Sequence, residues 1–184
     1  MSGKNVLLGV TGSVAATLTP RLVAALDVAG FEVRLVATRA SLYFFDGRAF
    51  AGRIWTDDSE WPSAEYRKGQ EIPHIALGDW ADALVIAPLT ANTLAKLAHG
   101  LADNLLTCTV RAWSIGKPFV AAPAMNTRML ESPLTGRQVA ELRSTYGTMF
   151  VPSQSKQLAC GAFGPGAMAD VADIVEAVRA AVGK

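Results

Sequence analysis

Short, continuous apolar runs alternate with longer amphipathic stretches along this chain. The runs at 6–10, 33–37, 83–87, 119–122 and 149–151 are too short for helices and predict strands. Between them, apolar positions recur at three- and four-residue spacing, which predicts helices over 14–29, 91–99, 103–113, 133–146 and 171–182. Strands apolar on both faces, separated by helices, define an α/β class with a mainly parallel sheet covered by helices. Ser13 suits the start of the first helix and Gly30 its end. Pro118 fits a strand start and Pro133 the first turn of a helix. Residues 46–73 break the pattern: Gly, Asp, Glu, Pro and two Trp without a period. They read as a long excursion with one short strand near Ile54, and Trp55 and Trp61 argue against disorder there. No repeat or linker divides the chain, so residues 1–184 are expected to form one domain.

Composition narrows the function classes. With a formal net charge of +1 there is no polybasic footprint for nucleic acid or a lipid surface. No apolar run approaches the ~20 residues that span a bilayer, and the N-terminus lacks the pattern of a signal peptide. Two cysteines, Cys108 and Cys160, make neither a disulfide framework nor a metal-ligand spacing. A soluble, cytoplasmic, metal-free protein is the expectation.

The candidate chemistry lies in loops that follow the predicted strands, where open α/β sheets bind ligands. Gly-Val-Thr-Gly-Ser-Val at 9–14 either cradles a phosphate with its N–H groups and the Ser13 hydroxyl, or is an ordinary tight turn. It is not the G-x-G-x-x-G dinucleotide fingerprint. Thr-Arg-Ala-Ser at 38–41 is a second hydroxyl-rich turn, and the pair favours a mononucleotide phosphate. In Pro-Leu-Thr-Ala-Asn-Thr at 88–93, Asn92 and the flanking hydroxyls either bond a flat ring and its polar chain or cap a helix. In Pro-Ala-Met-Asn-Thr-Arg-Met-Leu at 123–130, Asn126 stands between Met125 and Met129. An amide beside polarizable thioethers suits a carboxylate lying over an aromatic cofactor; the other reading is a capped helix start with core methionines. His74, placed just before a helical segment, is the candidate general base, whereas His99 reads as an ordinary helix-surface histidine. Cys160, in a Gly-flanked loop, is a better reactive thiol than Cys108 within an apolar helix. Asp103-Asn104 reads as a helix cap.

Together these segments resemble the homo-oligomeric flavin-containing cysteine decarboxylases, a family acting on phosphopantothenoylcysteine or on peptidyl-cysteine. The family's Pro-x-x-Ala-Asn-Thr loop is matched at 88–93, and its Pro-x-Met-Asn-x-x-Met-Trp motif at 123–130 except for Leu130 in place of Trp. Its Ala-Cys-Gly-Asp clamp is matched at 159–161, with Ala162 in place of Asp, and His-Ile-x-Leu-x-x-Trp-Ala-Asp at 74–82 resembles its catalytic-histidine segment. The resemblance implies a Rossmann-like, flavodoxin-type parallel sheet with helices on both faces, binding FMN. It implies trimers, often assembled into dodecamers, with FMN between neighbouring subunits and Asp103-Asn104 at the trimer contact. Gly12, Ser13, Val14, Thr38, Arg39, Ala40, Thr90, Ala91, Asn92, Thr93 and Met125 would contact FMN. Asn126 would hold the substrate carboxylate, His74 would act as base, and Met129, Ala159, Cys160 and Gly161 would line the substrate pocket, with a lid or clamp at about 150–170. The implied chemistry is oxidation of the cysteine side chain to a thioaldehyde, followed by loss of carbon dioxide to an enethiolate. Where the enethiolate is then reduced, Cys160 matches the proton donor.

The departures bear on the substrate. Family members acting on phosphopantothenoylcysteine carry a basic residue where this chain has Asp79, and a carboxylate there disfavours a phosphorylated substrate. With Ala162 and Leu130, this tips the sequence toward a C-terminal peptidyl-cysteine in peptide natural-product biosynthesis. The alternative is phosphopantothenoylcysteine in coenzyme A biosynthesis, favoured by Cys160 and the Gly-Pro-Gly-Ala-Met run at 164–168. A non-catalytic flavin-binding regulatory subunit and a flavodoxin-like electron carrier are the lesser alternatives.

Overall fold

Six parallel strands form the central sheet of the structure, a computed structural model that describes residues 4–61, 65, 67–157 and 163–183. In chain order the elements are β1 (Asn5–Val10), α1 (Thr19–Val28), β2 (Glu32–Ala37), β3 (Ile54–Trp55), α2 (Asp57–Glu60) and α3 (Pro73–Trp80). Then come β4 (Ala83–Leu89), α4 (Ala91–Ala98), α5 (Leu105–Arg111), β5 (Phe119–Pro123), α6 (Thr127–Leu130) and α7 (Pro133–Tyr146). The last are β6 (Met149–Phe150), β7 (Gln154–Gln157), β8 (Phe163–Ala167) and α8 (Val171–Val182). The sheet runs β3-β2-β1-β4-β5-β6 with every pairing parallel. That is the Rossmann order, and without the two-residue edge strand β3 it is the flavodoxin order.

Strand alternation assigns the core to two faces. Val6, Leu8 and Val10 of β1 pack with Leu22 and Leu26 of α1 and Ile174 and Val178 of α8. Leu7 points the other way, into a cluster with Leu84 and Ile86 of β4, Leu94 of α4 and Leu106 of α5. Each of these leucines is fully buried, stabilising the fold by about 1.5–3 kcal/mol.

Three local differences from the sequence expectation have physical causes. The helix expected over 14–29 is split: Val14–Leu18 is a 3-10 turn capped by Ser13, and α1 begins at Thr19. Pro20 has no N–H to give to a preceding turn and so occupies the first turn of a new helix. His74 lies within α3 rather than before it, because Pro73 opens that helix. An antiparallel pair, β7 with β8, stands apart from the main sheet; its Phe-Gly-Pro-Gly-Ala strand carries residues that weaken any strand signal. Among the described residues no helix is long and apolar enough to cross a membrane, and no side-chain group is arranged to hold a metal ion.

Candidate functional site

The strand order reverses between β1 and β4, so the loops leaving these two strands diverge and open a crevice. Thr11, buried at the end of β1, ties the two loops together: its hydroxyl donates to the Pro88 carbonyl at 2.7 Å and accepts from the Thr90 N–H at 3.0 Å. Thr90 in turn caps α4, its hydroxyl accepting from the Thr93 N–H at 3.3 Å. On the other side, Thr38 holds β2's exit loop to β1 through its N–H, 3.0 Å from the Val10 carbonyl. A Cβ on Gly12 would lie 2.6 Å from the Ala40 Cβ, so the two turns meet at a distance that only glycine permits. Gly12→Ala is therefore expected to push the 38–40 turn aside and lower the content per protein chain of the flavin that the sequence resemblance implies, measured by absorbance after gel filtration. Unchanged flavin content would show that this close approach is not needed.

A cleft of about 460 Å³ lies between these loops. Gly12 and Ser13 reach it from β1, Thr38, Arg39 and Ala40 from β2, Thr90 to Thr93 from β4, and Ala124, Met125 and Met129 from β5. All the sequence-predicted cofactor residues line it except Val14. A second chamber of about 460 Å³ shares the Ser13–Ala124–Met125 wall and contains Val14, Leu18, Asn126, Lys156 and Met168. Asn126, the sequence-predicted carboxylate holder, is thus in the second chamber, and Met129, expected to line the substrate pocket, is in the first.

The Asn126 loop is held from two sides. Asn126 caps α6, its side-chain oxygen accepting from the Arg128 N–H at 3.0 Å. The hairpin base is fastened to the same loop: the Met125 N–H donates to the Gly166 carbonyl at 2.9 Å, and the Thr127 hydroxyl to the Pro165 carbonyl at 2.7 Å. Ala159, Cys160 and Gly161, and with them the tip of this hairpin, lie outside the described residues.

His74 lines neither chamber of its own chain. Its Nδ1 instead meets the carboxylate of Glu60 on α2. The first residue of that same helix, Asp57, lines the cleft and accepts from the Leu105 N–H at 3.1 Å. Asp79, whose charge weighed in the substrate reading, also lines neither chamber.

The cleft is electrostatically mixed. Arg39 and Lys96 bring cations and Asp57 an anion. Lys96 pairs with Asp103, and this contact holds the Asp103 carboxyl below its ordinary value. Burial pushes the Cys108 thiol up, with Glu60, Asp103 and Asp57 adding to the effect, so Cys108 is a poor nucleophile at neutral pH. Sequence reasoning missed Lys96 and Asp57 as cleft residues, and Lys156 in the second chamber. Lys96 was legible in principle: it follows Asn92 by four residues and so shares its helix face. Asp57 sits in the aperiodic 46–73 stretch, where no pattern marks it.

A parallel α/β sheet with a hydroxyl-lined, cation-bearing cleft at its switch point defines a nucleotide-type cofactor protein. The chain belongs to the flavoprotein family, whose model matches residues 1–183. It is 48% identical to the Mus musculus phosphopantothenoylcysteine decarboxylase over 95% of this chain and 85% of that protein. The fold also matches a solved phosphopantothenoylcysteine decarboxylase mutant complexed with pantothenoylaminoethenethiol, with a TM-score of 0.89, 44% identity and 97% of each chain covered. Its similarity to the FMN-dependent cysteine decarboxylase SpaF is lower: TM-score 0.72, 33% identity, with 96% of this chain and 98% of that one covered.

Proposed function

We propose that this protein is an FMN-dependent decarboxylase of phosphopantothenoylcysteine. The observation that carries the reading is the pair of chambers sharing the Ser13–Ala124–Met125 wall, one lined by hydroxyls and cations, the other apolar with Asn126 and Lys156 at its walls. The first chamber suits FMN: Ser13, Thr90 and Thr93 offer hydroxyls, Arg39 and Lys96 positive charge, and Met125 a thioether surface for the ring. Bound there, FMN supplies a two-electron acceptor that can also return those electrons. Asn126 orients the substrate carboxylate in the adjoining chamber. Lys156, paired with Asp170 at 2.8 Å, puts a cation on that chamber's wall, as a phosphorylated substrate requires.

This reverses the preference for a peptidyl-cysteine drawn from Asp79, Ala162 and Leu130. The higher sequence identity is to phosphopantothenoylcysteine decarboxylases. The peptide reading becomes the alternative that the test must exclude.

His74 is the base that takes a proton as the cysteine side chain is oxidised, and it reaches the substrate from a neighbouring copy in a homo-oligomer, a trimer at least. Support for this comes from its surroundings: Ile72, Ile75 and Trp61 are 49%, 42% and 80% exposed in the single chain, an apolar fringe that a second copy would cover. Cys160 is assigned as the proton donor when the enethiolate is reduced, and the 150–170 segment as the clamp over the substrate.

Asn126→Asp sets a carboxylate against the substrate carboxylate, and substrate affinity measured by calorimetry is expected to fall at least tenfold. Unchanged affinity would remove Asn126 from that role. The function itself is tested by carbon dioxide release from equal concentrations of phosphopantothenoylcysteine and of a short peptide ending in cysteine. Faster release from the phosphorylated substrate supports the proposal, preference for the peptide overturns the substrate, and no release from either overturns the decarboxylase.

A further inference from the structure

Glu60 is unusual among the acids of this chain. Its side chain is only 8% exposed, and its Oε1 meets Nδ1 of His74. Among the described residues its second oxygen, buried, has no hydrogen-bond partner. Burying a carboxylate costs several kcal/mol unless a donor or cation compensates it, of the order set by desolvation in a low dielectric. A surface acid at this position would avoid that cost, so the contact with the imidazole is what the burial provides.

The surrounding structure holds Glu60 in place. α2 is a single turn closed by a capping box, in which the Thr56 N–H donates to the Ser59 hydroxyl at 3.0 Å. Asp57, at the start of this turn, caps α5 through the Leu105 N–H at 3.1 Å. α3, which carries His74, packs on α5 as well. The carboxylate and the imidazole are thus carried by two helices that both pack on α5.

We propose that Glu60 is the positioning residue for His74, holding its ring as the Nδ1–H tautomer and leaving Nε2 as the basic nitrogen. A carboxylate accepts hydrogen bonds and donates none when ionised, so the imidazole nitrogen facing it carries the proton. The lone pair is then on the opposite edge of a side chain that is 25% exposed, and that edge alone can receive a proton from outside. The role rests on His74 being the base of the proposed decarboxylation. Its contribution is orientation and tautomer, and Glu60 itself touches no substrate.

The test uses histidine-labelled holoprotein, in which only His74 and His99 give ring nitrogen signals, with His74→Asn identifying the pair. At about pH 9, well above the ordinary imidazole range, wild-type His74 is expected to show a protonated Nδ1 and a bare Nε2. Glu60→Leu is expected to release the ring to the common Nε2–H form, keep its bound flavin, and lower kcat by at least about 10-fold with little change in KM, between the loss seen when a metal-bound histidine loses its orienting carboxylate and the roughly 10⁴-fold loss when a catalytic base is left in the wrong tautomer. Wild-type His74 carrying its proton on Nε2 would overturn the proposal even if the leucine variant failed to fold. So would a variant with unchanged ring signals, or one with altered signals and undiminished kcat. If wild-type protein shows no turnover at all, the decarboxylase reading fails while the ring spectrum still decides the tautomer.

Discussion

His74→Asn is expected to leave a yellow, correctly assembled protein whose turnover falls by about 10²–10⁴-fold, the range supplied by a positioned general base. Asparagine is polar and of similar reach but cannot take a proton near neutrality, so the substitution separates proton transfer from packing. The site around it should survive, because His74 lines neither chamber of its own chain and the substitution leaves those walls unchanged. Absorbance of the bound flavin and the oligomer's mass by light scattering should therefore match the wild type, while carbon dioxide release collapses. Turnover within a factor of two of wild type would remove His74 from the mechanism and leave its contact with Glu60 as a structural ion pair.

Gly166→Ala is expected to be the most damaging single methyl in the described part of the molecule. Gly166 has φ +130°, outside the range of other residues, and a Cβ there would lie 2.1 Å from the Met125 carbonyl oxygen. The backbone must then move, and the hydrogen bond from the Met125 N–H to the Gly166 carbonyl goes with it. Backbone strain and a lost buried hydrogen bond together put the cost at roughly 2–5 kcal/mol. That corresponds to a fall in Tm of roughly 5–15 °C for a chain of this size. The functional cost follows from position: Asn126 is the next residue after Met125, and a shift of about 1 Å in a substrate-orienting group is enough for a 10²-fold loss of rate. Thermal melts and kcat should fall together; a variant with wild-type Tm and turnover would mean that the β7–β8 hairpin does not hold the Asn126 loop.

How much of this was visible in the sequence differs between elements. Four long strands, the short β6 and their loops were legible because buried parallel strands are written as continuous apolar runs and their exits as small and hydroxyl residues. The consequence was specific: turns separated by more than a hundred residues converge on one cleft. The hairpin was invisible because glycine and proline erase a strand pattern even where close packing demands glycine, against the Thr127 side chain at Gly164 and the Met125 backbone at Gly166. α2 was invisible because four residues cannot show a period, and with it went Asp57 and the Glu60 partner of His74. Pro20 carried a local signal that the longer apolar pattern masked, since it marks a helix start inside that pattern. The substrate preference was drawn from three single positions, Asp79, Ala162 and Leu130, and the relatives of higher identity weigh against it: 48% to a phosphopantothenoylcysteine decarboxylase against 33% to the cysteine decarboxylase SpaF.

The central claim is a decarboxylation in which the flavin regains its starting state within each turnover. It is tested most directly by mass spectrometry of phosphopantothenoylcysteine after incubation with the purified yellow protein and no added electron acceptor. Catalytic conversion to a product lighter by carbon dioxide alone is the predicted result. A product lighter by carbon dioxide and two hydrogens would contradict the return of electrons to the substrate, and an unchanged mass would contradict the decarboxylase itself.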